Sequence, residues 1–191
     1  MNVLTPSGRF DYAVKHVLEH EGGFSNDKND PGGATNYGIS LRFLKEMDID
    51  FDHDGDIDIQ DVKNIHFTDA IDIYKKYFWD KNHYEAINSL EIAAKIFDIA
   101  VNIGASRAHK IAQKGCTYCG HKDLKIDGIL GPKSFAAINE ITTHGRQSDL
   151  MDEIVNEQKW FYEHLTEDNP KLKVFLKGWL NRAAWVPDVK D

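Results

Sequence analysis

Between Leu90 and Gly104, apolar residues fall at Ile92, Ala93, Ile96, Phe97, Ala100 and Val101, the spacing of a helix buried over most of its surface. No long stretch alternates apolar and polar residues as a half-buried strand must, so the expected fold class is mostly α. Another helix is expected over about residues 8–21, where Phe10, Val14, Val17 and Leu18 share a face. Others are expected over 41–47, over TDAIDIYKKYFWD with Thr68 as its N-cap, and over 148–166 and 171–184. Gly104 is placed to end the buried helix, and Pro132 to open one. With 191 residues, 41% of them hydrophobic, the chain can bury a substantial core. Without a low-complexity linker, a division near residue 105 is read as two packed lobes, 1–104 and 105–191, rather than independent domains.

The formal charge of -8 argues against a broad nucleic-acid surface, which needs clustered Lys and Arg to replace phosphate counterions. No stretch approaches the roughly 18 apolar residues of a membrane span, and the opening residues lack a basic segment followed by an apolar one. The expectation is synthesis in the cytoplasm without a Sec signal. Two cysteines, Cys116 and Cys119, are too few for a disulfide framework. CTYCGH has the spacing of half a zinc site, shared between chains or completed by His109, or of a reduced or locally oxidised structural pair.

Much of the negative charge is local. Residues 50–61 read DFDHDGDIDIQD, with six aspartates and no Lys or Arg. The segment fits the EF-hand calcium-loop template: Asp50, Asp52 and Asp54 stand at positions one, three and five, and Gly55 at the sharp turn. Asp56 would offer its backbone carbonyl, Asp58 follows, and Asp61 closes the loop where the template has Glu. Either calcium occupies an insertion at about 48–65, as a structural ion, or the segment is a solvated acidic loop.

Glu21 lies three, four, seven and eleven positions after Leu18, Val17, Val14 and Phe10, on the apolar face of the first helix. Partial desolvation there raises a carboxyl pKa, as a general acid needs, and Gly22 and Gly23 leave space above it. A glutamate at a helix boundary is the plainer alternative. The loop beyond it gathers Asn29, Asp30, Thr35, Asn36 and Tyr37 among glycines, a supply of donors, acceptors and one ring suited to sugars.

EGG at 21–23, NDPGG at 29–33 and TNYGI at 35–39 together resemble the signature of glycoside hydrolase family 108. The resemblance continues through YKKYFWD at 74–80 and DIAVNIG at 98–104. It reaches the family's companion peptidoglycan-binding region at IDGILGPKSFAAI, 126–138, and KGWLNRA, 177–183. It implies a lysozyme-like helical fold and an endolysin-type N-acetylmuramidase acting on bacterial peptidoglycan, with Glu21 as the catalytic acid; some relatives carry the label of secretion activator. Asp30 is the candidate second carboxylate, although Asp in an Asp-Pro-Gly-Gly turn also ties to backbone amides.

Candidate substrate contacts are Asn29, Thr35, Asn36, Tyr37, Asp98 and Asn102, with Trp79 a further ring. Asp98 and Asn102, four apart on an apolar helix, either line a groove or hydrogen-bond across the core. A monomer is expected. The competing readings are a non-catalytic peptidoglycan-binding or secretion-accessory protein and, among enzymes, a lytic transglycosylase.

Overall fold

The computed structural model describes residues 6–20, 23–26 and 33–189, without the side chains of residues 6, 7 and 20. The protein is mostly helical, and the strands among the described residues are two residues long. Two compact units arise: Val14–Tyr77, and Met1–Ala13 with Phe78–Asp191. Helix α1, Pro6–His20, supplies residues to both, with Phe10, Ala13, Val14 and Val17 buried. No helix among the described residues is long and apolar enough to cross a membrane.

The smaller unit carries a hairpin, β1 Thr35–Asn36 and β2 Ile39–Ser40, then α2 Leu41–Met47, α3 Ile59–Asn64 and α4 Phe67–Tyr74. Ser40 caps α2 by accepting a hydrogen bond from the Phe43 N–H at 3.1 Å. Ile39, Leu44, Val62, Ile65, Ala70 and Tyr74 are buried in this unit. Helix α4 starts earlier than expected. Its N-cap is His66 instead of Thr68, because the Asp69 carboxylate reaches back to accept from the His66 N–H at 2.7 Å. A π-helical turn, Lys75–Asp80, follows α4.

The larger unit holds α5 Leu90–Ile103, α6 Ala105–Tyr118, α7 Pro132–Thr143, α8 Gln147–Asp168 and α9 Lys173–Ala183. Ser89 caps α5 at the Ile92 N–H, and Gly104, at φ 89°, ends it. Helix α6 then packs back along α5, so both sides of residue 105 belong to this one unit. Phe10, Trp79, Tyr84 and Phe97 form a buried edge-to-face cluster with ring centroids 5.5–6.2 Å apart. Trp79 is thus core, not a platform for sugar. Gly115 lets α6 approach α8 closely, since a Cβ there would sit 3.2 Å from Leu150 and 3.3 Å from Ile154.

Lys95 sits on α5 with no exposed surface. Its ammonium donates to the Ala183 and Trp185 carbonyls, both at 2.8 Å, and thereby holds the C-terminal end of α9. Burial lowers its pKa from 10.5 to about 8, against the opposing pull of Asp98. The unfolded chain therefore holds this proton more tightly, and stability should rise as pH climbs from about 8 to 10.5, by on the order of 3 kcal/mol. Urea unfolding of wild type and Lys95→Met across that window checks this. Subtracting the variant's curve isolates the rise, and a flat difference would show that Lys95 is no buried cation.

Candidate functional site

Glu21, Asn29 and Asp30 lie outside the described residues. The far end of their loop is well defined. Tyr37 and Gly38 both have positive φ, 48° and 75°, which makes the two-residue connection of β1 and β2 a turn matched to strand twist. Thr35 exchanges backbone hydrogen bonds with Ser25, both at 2.8 Å, tying the start of the polar loop to its end. Asn36 is buried and donates through Nδ2 to the carbonyls of Val62 and Ile65 at 3.1 and 3.0 Å, pinning the hairpin to the end of α3. The Tyr37 carbonyl accepts from the Tyr74 hydroxyl at 2.9 Å, and the Tyr37 ring meets Phe67 edge-on. Thr35 and Tyr37 keep partly exposed side chains beside this anchored backbone.

The acidic segment joins α2 to α3 as helix–loop–helix. Gly55 has φ 101° at the turn. Asp50 accepts from the N–H groups of His53 and Gly55, Asp54 from that of Asp56, and Asp58 caps α3. Carboxylate oxygens of Asp50, Asp52 and Asp54 lie within 4.8 Å of one another, as do those of Asp56, Asp58 and Asp61. Asp61 is 1% exposed. Burial raises its pKa, but N–H groups of Asp58, Phe51 and Asp52 outweigh that and hold the carboxyl below the usual range. The Asp54 carboxylate pushes Asp56 the other way. Among the described residues, no Lys or Arg pairs with any of the six.

In the larger unit, Asp98 has no exposed surface and faces Arg182, whose Nη2 and Nε donate to Oδ1 at 2.9 and 3.1 Å. Asn102 accepts from the Tyr162 hydroxyl at 2.6 Å, which in turn accepts from Gln158. Both residues therefore engage partners on the helices packed against α5. Arg182 lies inside the KGWLNRA segment, but its partner is 84 residues away in sequence.

His109 is also buried, and burial lowers its pKa, so the ring is neutral near pH 7. Nδ1 faces the Gly128 carbonyl at 3.0 Å and must donate to it; Nε2 then accepts from the Tyr84 hydroxyl at 2.9 Å. With its accepting nitrogen engaged, His109 is not available to complete a zinc site. Cys116 and Cys119 are free and buried, and burial pushes the Cys116 thiol up to about 12.

Residues 14–104 match the family described as Glycosyl hydrolase 108, and residues 107–184 match one described as Predicted Peptidoglycan domain. No curated protein matches the chain. Among solved structures, that of Brucella abortus SagA is similar, with 28% identity and a TM-score of 0.74, over 93% of this chain and 91% of that one. Over residues 14–104 the chain is thus similar to the glycosyl hydrolase 108 family, and that segment is followed by one similar to a predicted peptidoglycan domain.

Proposed function

We propose that the protein is a muramidase that hydrolyses the β-1,4 link between N-acetylmuramic acid and N-acetylglucosamine in peptidoglycan, after release to the cell wall. The observation that carries this reading is the extent of the hydrolase-family segment. It spans the whole run from EGG to TNYGI, and so both Glu21 and the polar loop that ends in the anchored hairpin. Glu21, four positions after buried Val17, protonates the leaving glycosidic oxygen. Asp30 stabilises the oxocarbenium face or orients water. Asn29, Thr35 and Tyr37 contact sugar, and Asn36 positions them by locking the hairpin. Asp98 and Asn102 fix α5 to its neighbours within the larger unit.

Digesting purified peptidoglycan and weighing the fragments by mass spectrometry tests this directly. Reducing N-acetylmuramic ends are expected. 1,6-Anhydromuramic ends would make the protein a lytic transglycosylase, and an absence of products from folded protein would leave a binding or accessory role.

The acidic loop suits calcium, held by Asp50, Asp52, Asp54, Asp58 and Asp61 with the Asp56 carbonyl. Two clusters of oxygens without a Lys or Arg partner among the described residues are a donor set of hard anionic ligands. The ion would neutralise their repulsion and clip α2 to α3; the chemistry at Glu21 needs no Lewis acid. Calcium at a hundred times its Kd should stabilise the fold by about 2.7 kcal/mol, or roughly 5–10 °C in Tm. Thermal melting with calcium and with EDTA, for wild type and Asp52→Asn, measures this. A Tm indifferent to calcium in the wild type would sink the assignment.

A further inference from the structure

A cleft of about 270 Å³ opens at the start of α6, within the larger unit. Lys81, His83, Ser106, Ile129 and Leu130 are among the residues that line it. None of the residues lining it is a carboxylate, although the chain has 31 acidic residues against 23 basic ones. The first helical residues, Ala105 and Ser106, face the cleft, and Gly104 before them offers no side chain to cap the α6 amides. The positive end of a 14-residue helix adds to the Lys81 ammonium, while His83 Nδ1 lies 3.5 Å from the Glu85 carboxylate.

The loop that carries Ile129 is rigidly built. Gln113, 1% exposed, donates through Nε2 to Asp127 Oδ1 and the Ile129 carbonyl, both at 3.0 Å, and accepts from the Gly128 N–H at 2.9 Å. His109, in the floor, holds the Gly128 carbonyl. Gly128 has φ 80°, and a Cβ there would lie 2.6 Å from Ser106 Oγ and 2.7 Å from the Ser106 carbonyl oxygen, so only glycine lets this loop press against α6. The consequence is that Ile129, 69% exposed, is fixed at the rim instead of folding inward.

We infer that this cleft binds the stem peptide of peptidoglycan, with a peptide carboxylate at Lys81 and the α6 N-terminus and an alanine methyl against Ile129. The inference rests on the peptidoglycan reading above and adds the part of the polymer recognised. A glycan strand whose lactyl groups are amide-linked carries no charge, whereas the stem peptide alternates small methyls with carboxylates. A cleft that holds the Lys81 ammonium, a helix N-terminus and a fixed isoleucine matches the second pattern.

Isothermal titration of the full chain decides it, with the synthetic tetrapeptide L-Ala-γ-D-Glu-meso-diaminopimelate-D-Ala as probe and its fully amidated form as control. The tetrapeptide should bind at least tenfold more tightly than the amidated form, and at least tenfold more weakly to Lys81→Glu. Lys81 is exposed, so a melting curve can establish that the variant is folded; Ile129→Asp provides a second, independent lesion. Equal binding of both peptides, no binding of either, or unchanged binding to folded Lys81→Glu would overturn the inference. Titration involves no turnover, so reducing-end release from intact peptidoglycan by the same wild-type preparation separates failure here from failure of the hydrolase reading.

Discussion

Glu21→Gln should slow the release of reducing ends from peptidoglycan by about a hundred- to ten-thousand-fold, the usual contribution of a positioned general acid. The amide keeps the size of the side chain and its place after the Val14–Val17 stripe, but has no proton to give the leaving oxygen. Initial rates on purified sacculi, with thermal melting to establish folding, provide the measurement. A variant within threefold of wild type would remove Glu21 from the acid's role. Asp30→Asn in the same assay separates the two readings of that residue. A comparable loss at unchanged Tm marks a catalytic partner, whereas a lowered Tm with a modest loss marks a turn-tying side chain.

Asp98→Ala should cost about 3–5 kcal/mol, because it leaves the Arg182 guanidinium largely buried without its anion. For a chain of this size that is roughly 10 °C in Tm. Chemical unfolding gives the figure directly. A cost under about 1 kcal/mol would show that the pair does not hold α9 to α5. Because Asp98 is buried, activity should fall only as far as the folded fraction falls; a folded but inactive variant would return Asp98 to the substrate groove.

The helices were legible where a single periodicity decided them. Helix α5 is buried on nearly every side, and its limits are legible in the apolar run that begins at Leu90 and in Gly104 that ends it. The hairpin is not, since two-residue strands are too short to show alternation, and within TNYGI the Tyr37–Gly38 pair forms its turn. Thr68 is the cap the sequence favours for α4 because Ser and Thr are common there; the reach of Asp69 back to His66 depends on a backbone direction that composition does not encode. Trp79 is in the core for the same reason that aromatic residues at helical spacing usually are. The polar pair on α5 was visible, but Arg182 and Tyr162 as its partners were not, since contacts across 84 and 60 residues leave no local signal. At the acidic loop, Asp50 and Asp54 accept backbone hydrogen bonds within the loop, an arrangement that carboxylates make with or without an ion.

Cys116 and Cys119 have one more consequence. With Cys116 at about 12, only about one thiol in a hundred thousand is ionised at neutral pH, and the ionised form is the one that attacks a disulfide or an oxidant. The Cys119 thiol is raised as well, again chiefly by burial. Thiols held this far from ionisation stay free in reducing and oxidising surroundings alike, with no folding helper needed to set or repair a bridge.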